Sequence, residues 1–139
     1  MPNHDSPQRR FSSLPETECR ALLSSHTIGR VGWNTVDGPQ ILPVSYALRD
    51  GSIIFRTAAY GALAELRNVR QVAFEVDEFD VATRTGWSVL VSGWAKAATD
   101  PDALARLWEK DDPIPWATGI RSLFITISTD HLSGRMISA

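Results

Sequence analysis

The stretch Val72-Ala-Phe-Glu-Val-Asp77 decides the fold class, because large apolar residues alternate in it with small or acidic ones. A period of two is typical of a β-strand with one buried face. Working outward from this strand, predicted over residues 71–77, the chain offers five further short apolar segments. They predict strands at residues 28–33, 40–48, 52–57, 87–98 and 122–128, the last of which can extend past Asp130.

Short links join these strands. Arg49-Asp-Gly51 predicts a hairpin turn, and Pro43, which lacks a backbone N–H, favours an edge or a bulge within its strand. Short helices are predicted at residues 14–23, 61–68 and 100–108. Most links are too short for parallel crossovers, so the sheet should be antiparallel, and closure removes its exposed edges. The predicted fold is therefore mainly β, a six-stranded antiparallel split barrel with short flanking helices.

The chain of 139 residues has the length of a single domain, with a polar, flexible tail predicted over residues 1–11 and one domain over 12–139. Its net charge of −2 gives no reason to expect nucleic-acid or anionic-membrane binding. One cysteine, Cys19, excludes an internal disulfide and a cysteine-based metal site. No apolar run reaches the roughly 18 residues of a membrane span, and no signal-peptide core is present. We therefore expect a cytoplasmic protein.

A candidate ligand site begins where Ser52-Ile-Ile-Phe-Arg-Thr57 passes through a small-residue turn into the predicted helix. A guanidinium, a hydroxyl and a helix N-terminus together suit an anion. The later stretch Thr85-Gly-Trp-Ser-Val-Leu-Val91 adds an aromatic wall at Trp87 and a hydroxyl at Ser88, so the combination suits a flat, phosphorylated cofactor. The alternative is that Arg56 and Thr57 are one exposed and one inward strand residue, Trp87 a core aromatic and Ser88 an ordinary strand hydroxyl.

Other chemistries find little support in the sequence. The acidic residues near the middle of the chain have no histidine beside them, and a solvated face is the favoured interpretation. The three histidines lack ligand spacing, which argues against zinc. No Gly-x-Ser-x-Gly elbow or glycine-rich dinucleotide fingerprint occurs. Three tryptophans are interpreted as core or dimer-interface aromatics. The acidic residues are Glu75, Asp77, Glu78 and Asp80, the histidines are His4, His26 and His131, and the tryptophans are Trp33, Trp94 and Trp108.

Several segments, taken in order, resemble the pyridoxamine 5′-phosphate oxidase-like family, the flavin-binding split barrels. They are Leu42-Pro-Val-Ser-Tyr46, Ile54-Phe-Arg-Thr57, Val72-Ala-Phe-Glu-Val-Asp77, Thr85-Gly-Trp-Ser-Val-Leu-Val-Ser-Gly-Trp-Ala95 and Thr99-Asp-Pro101. The resemblance covers residues 12–137 and is greatest to the nitroimidazole-reductase-like and small actinobacterial branch. It implies a homodimer that binds FMN, or in some branches F420 or haem, between its subunits. The implied activity is an FMN- or F420-dependent oxidoreductase acting on a small organic substrate, with NAD(P)H as an electron donor.

The resemblance also implies the site residues. Beside the flavin ring it implies Pro43, Val44 and Ser45. At the phosphate end it implies Phe55, Arg56, Thr57, Ala62 and Leu63. Trp87 and Ser88 would close the site, and Trp116 and Arg135 would come from the other subunit.

Where many relatives place a lysine, this chain has Ala62, and Gln40 and Ser45 stand where the vitamin-processing oxidases carry basic residues. True pyridoxamine 5′-phosphate oxidase activity is therefore not expected. Because a flavin carries the chemistry itself, no catalytic side chain is predicted. The alternative function is a non-catalytic flavin- or haem-binding dimeric module, or a dimer that has lost its cofactor.

Overall fold

A computed structural model of the protein describes residues 10–99 and 122–138, which form eight strands and two helices. The helices are α1 (Glu16–Ser24) and a 3₁₀ helix (Ala62–Arg67). The strands are β1 (Arg10–Ser13), β2 (Ile28–Thr35), β3 (Gly38–Arg49), β4 (Ser52–Thr57), β5 (Arg70–Asp80), β6 (Thr85–Ala97), β7 (Leu123–Ile127) and β8 (His131–Ser138).

Six of these strands close into an antiparallel barrel, which confirms the predicted fold class. Their order is β6-β5-β2-β3-β4-β7, and β7 returns to pair with β6. Closure depends on β6 changing its neighbour along its length. Residues 86–92 of this strand pair with β8, whereas residues 95–97 pair with β7. The sheet therefore extends beyond the barrel through β8 and then β1.

Three local features differ from the sequence-based expectations. The last predicted strand is two strands, because the chain turns at residues 128–130, where the Ser128 hydroxyl donates to the Asp130 carboxylate at 2.6 Å. The predicted helix over residues 61–68 is a 3₁₀ helix of six residues. β1 starts at Arg10, inside the segment predicted as a tail, because its backbone pairs with β8. The predicted helix over residues 100–108 and residues 1–9 lie outside the described residues.

The core fills the barrel from the inward faces of its strands. Val31, Phe74 and Val91 lie directly opposite one another on three adjacent strands and are completely buried. The alternation that predicted β5 is thus confirmed. Cys19 is buried as expected.

Each end of the barrel is covered by a helix. Helix α1 covers one end with Leu23, and the hydroxyl of buried Tyr46 donates to the Leu23 carbonyl oxygen. The 3₁₀ helix covers the other end with Leu66, and the Trp33 indole N–H donates to Glu65 at 3.2 Å. Trp33 is therefore a core aromatic. Neither helix of the described residues is long and apolar enough to cross a membrane.

Candidate functional site

A gap opens in the barrel wall where β3 and β4 separate. β3 pairs with β2 along residues 38–45 but with β4 only along residues 46–49. β4 pairs with β3 as far as Phe55 and with β7 as far as Thr57. Residues 43–45 and residues 56–57 therefore flank the same opening, which we call the split gap. The structure thus brings together two segments that the sequence placed in the site.

The backbone of Ser45 points into the split gap. The N–H of Tyr46 donates to the Thr27 carbonyl oxygen at 2.9 Å, on the β2 side of the strand. Successive residues of a strand direct their N–H and C=O groups to opposite sides in an antiparallel ladder. The N–H of Ser45 is consequently directed away from β2, toward the side where β4 has left the sheet. A hydrogen-bond donor for a ligand is available there without any change in the fold.

The side chains of the predicted site residues divide between the two faces of the sheet. Val44 and Phe55 are buried in the core, so only their backbone atoms can reach a ligand. Pro43 is exposed and Ser45 half-buried on the outer face. Thr57 is only 3% exposed and is the one buried polar residue among the described core residues.

Arg56 supplies the positive charge beside the gap. It is half-buried, and its guanidinium carbon lies 5.3 Å from the centre of the Phe124 ring. The turn that follows reaches Gly61, whose φ of 98° favours glycine, and then exposed Ala62. Leu63 packs against the core. Because the 3₁₀ helix has only six residues, aligned peptide dipoles contribute less than the predicted helix would, and the anion site depends on Arg56.

Ser88 and Arg135 are neighbours on the outer face, whereas Trp87 lies on the inner one. Ser88 is directly opposite Arg135 on β8, within the same protomer, and the Arg135 guanidinium lies 5.5 Å from the Phe11 ring centre. Trp87 packs against the core, edge-on to the ring of His26 at 4.9 Å. The pleat therefore separates the two residues that the sequence placed together. Trp116 lies outside the described residues.

An ion cluster lies on the outer face beside Ser88, whose cross-strand partner on β5 is Asp77. Arg30 contacts Glu75 at 3.2 Å and Asp77 at 3.3 Å. Burial raises the pKa of Glu75 to about 7, with a further contribution from Asp77, and Arg30 opposes both. Glu78 and Asp80 are exposed, as expected for a solvated face, but Glu75 and Asp77 are half-buried. The described residues contain no group of three or more side chains suited to a metal ion.

His26, for which the sequence predicts no zinc-ligand role, connects the end of helix α1 to the barrel. Its Nε2 lies 2.9 Å from a Glu78 carboxylate oxygen, and its Nδ1 lies 2.8 Å from the Ser25 hydroxyl. Since Glu78 lies on β5, 52 residues further along the chain, only the fold could have indicated that contact.

The residues around the split gap fit part of a flavin nucleotide. A phosphate requires cations and hydrogen-bond donors, and Arg56 with the Thr57 hydroxyl provides one of each. A flavin ring requires a flat, partly apolar edge with polar backbone groups, which residues 43–45 supply. Ala62 adds no charge to the phosphate end.

The comparisons with known proteins agree with this fold. The family model described as pyridoxamine 5′-phosphate oxidase matches residues 15–136. An uncharacterized protein of Mycobacterium tuberculosis is 34% identical over 143 residues, covering 96% of this chain and 91% of that protein.

Two solved structures share the whole architecture. The FAD binding protein from Mycobacterium smegmatis is 30% identical with a TM-score of 0.73, covering 90% of this chain and 97% of its own. A candidate pyridoxamine 5′-phosphate oxidase from Corynebacterium glutamicum is 26% identical with a TM-score of 0.78, covering 94% of this chain and all of its own.

Proposed function

Because the chain belongs to the pyridoxamine 5′-phosphate oxidase family, we propose that it is a flavin-dependent oxidoreductase that binds its cofactor at the split gap. The observation that carries this proposal is the direction of the Ser45 N–H, which faces the gap opposite Arg56 and Thr57. The cofactor is FMN or FAD, the latter supported by the Mycobacterium smegmatis relative. The substrate is a small organic molecule, and NAD(P)H is the electron donor.

The chain's own residues have three tasks in this proposal. Arg56 and the Thr57 hydroxyl bind the phosphate. The Ser45 N–H donates a hydrogen bond to the edge of the ring, which fixes its orientation and favours negative charge on that edge. Pro43 provides an apolar surface beside it. The bound flavin supplies the transfer of a hydride or of electrons, so the reaction needs no nucleophilic side chain.

Titration of FMN and FAD into the flavin-free protein, followed by quenching of flavin fluorescence, tests the binding step. A charge-assisted hydrogen bond contributes about 1.5–3 kcal/mol, so Arg56→Ala should weaken binding roughly 10- to 150-fold. Thr57→Val, which keeps the side-chain volume, should weaken it less. Arg67→Ala is the matched control, because Arg67 is exposed at the far end of the 3₁₀ helix. Equal affinity of the Arg56 and Arg67 variants would show that the site is placed wrongly.

Reduction by NADH or NADPH then separates an enzyme from a binding module. The expected result is loss of the flavin absorbance bands on addition of one of these donors. A protein that binds flavin but is not reduced by either donor would fit the non-catalytic module instead. No binding of FMN or FAD at tens of micromolar would refute the flavin proposal, and mass spectrometry of the copurified ligand would reveal F420 or haem.

A further inference from the structure

Arg30 lies directly beside Pro43 on the outer face of the barrel. The two residues are opposite one another in the antiparallel pair formed by β2 and β3. Arg30 is exposed and alternates along its strand with buried Gly29 and Val31, so its side chain is on the outer face, as is that of exposed Pro43. The Arg30 guanidinium and the residues that flank the split gap on β3 therefore share one surface.

The hydrogen-bond pattern of the ladder brings these two side chains close together. The Tyr46 N–H donates to the Thr27 carbonyl oxygen, so these two residues form a hydrogen-bonded pair. Hydrogen-bonded and non-hydrogen-bonded pairs alternate along an antiparallel ladder, and the side chains are closer in the non-hydrogen-bonded ones. Pro43 and Arg30, three pairs further along the register, are consequently a non-hydrogen-bonded pair, in which a proline needs no N–H toward β2.

Two carboxylates hold the Arg30 guanidinium by one of its nitrogens. Nη1 donates to Glu75 at 3.2 Å and to Asp77 at 3.3 Å, both on β5. A guanidinium is a planar fork of five N–H donors, and those on Nη2 and Nε lie outside both ion pairs. The Arg30 side chain is 51% exposed, so these donors are open to a ligand. The cation is thus fixed at one corner while the rest of the fork is available.

An oxidised flavin ring offers acceptors that match this fork. Its pyrimidine portion has a ring nitrogen next to a carbonyl oxygen, and the parallel N–H groups of an arginine suit two neighbouring acceptors. A hydride from NAD(P)H gives the ring two electrons and one proton and releases NAD(P)+, so the ring gains one negative charge. A cation at its edge favours that charge.

We propose that Arg30 binds the edge of the flavin ring and stabilises its reduced, negatively charged form. This inference rests on the proposed function, in which the ring lies beside Pro43. The Ser45 N–H is directed toward the split gap and Arg30 lies on β2, so the two donors are on opposite sides of β3. Each can therefore bind a different edge of one ring. Glu75 and Asp77 fix the position of the cation and offset part of its charge.

The reduction potential of the bound flavin, measured on the full chain loaded with FMN or FAD, tests this inference. Arg30→Gln should weaken binding of the reduced flavin at least tenfold more than binding of the oxidised flavin, which lowers the potential by about 30 mV for a two-electron couple. Arg30→Lys keeps the charge but loses the planar fork, so its shift should be smaller. Glu75→Gln removes an opposing charge and should raise the potential at pH 8, where this acid, with a pKa of about 7, is mostly ionised.

Arg67→Gln is the matched control, because it removes the charge of an exposed arginine at the far end of the 3₁₀ helix. Its potential should equal that of the wild type. Circular dichroism verifies that each variant is folded. A purely structural role of Arg30 would lower the stability of the variants but would leave the ratio of the two flavin dissociation constants unchanged.

A wild-type potential in Arg30→Gln, or a fall of the potential in Glu75→Gln, would overturn the inference. Flavin titration of the wild type keeps this failure apart from that of the proposed function. If the wild type binds FMN or FAD and the Arg30 variants keep its potential, the role of Arg30 alone is refuted. If the wild type binds neither flavin, the proposed function is refuted and the role of Arg30 with it.

Discussion

Gly29 should tolerate no side chain, because the core ring of Phe74 occupies the space above it. A Cβ at this position would lie 2.7 Å from Phe74 Cε1 and closer still to Cζ. Phe74 is completely buried and packs edge-on against Tyr46, with ring centres 5.0 Å apart. A Cβ at residue 29 could be accommodated only by displacing this buried ring or the strand. Overpacking of this kind costs about 1–3 kcal/mol, so Gly29→Ala should lower the free energy of unfolding by about 2 kcal/mol.

Urea denaturation and thermal unfolding measure this change. For a chain of this size, about 2 kcal/mol corresponds to a fall in Tm of roughly 6–10 °C. Gly32→Ala is the control on the same strand, because its Cβ would meet only the Gln40 carbonyl oxygen at an ordinary 3.6 Å. Phe74→Leu should lower the free energy of unfolding less in the Gly29→Ala variant than in the wild type, because the smaller side chain relieves the overlap. Equal Tm values for the two alanine variants would refute the packing argument.

Two further predictions concern a buried hydrogen bond and a titrating acid. Tyr46→Phe removes the donor to the Leu23 carbonyl oxygen, and urea denaturation should show a loss of about 1–3 kcal/mol; an unchanged midpoint would contradict this. Because the Glu75 pKa is raised to about 7 from 4.5, the fold favours the protonated acid. The stability of the wild type relative to Glu75→Gln should therefore fall as pH rises from 4.5 through 7. If the stability difference between the wild type and Glu75→Gln does not change with pH, or shifts in favour of the wild type as pH rises, Glu75 does not have a raised pKa.

The strands that could be predicted from the sequence are those that bury one face in the core, because burial of one face produces an alternating apolar pattern. β5 was identified by its alternation, since Val72, Phe74 and Val76 all point inward. β1 gave no such signal, because all four of its residues are exposed and it is held by backbone pairing to a strand far away in the sequence. In β8 the pattern is weak. Its Gly134 is needed where a Cβ would lie 2.7 Å from the sulfur of Cys19, a contact that only the fold reveals.

The sequence could predict that two segments of the candidate site would lie together, but not how their side chains are oriented. Residues 43–45 and 56–57 flank one gap, as the resemblance implied. Which atoms face a ligand depends on the pleat, and the pleat places Thr57 inward and Arg56 outward. The role of Arg30 could not be predicted either, because its partners Glu75 and Asp77 lie on a strand more than forty residues away. Cross-strand pairs of this kind are fixed by register rather than by local sequence.

The change of neighbours along β6 sets the order in which a nascent chain can complete its sheet. Hairpins formed by β2, β3 and β4, and by β5 with β6, need only residues already synthesised. The edge of β4 must wait for β7, and β1 must wait for β8, the strand that comes last among the described residues. At about 5–20 residues per second, unpaired strand edges are open to other molecules for several seconds during each round of translation.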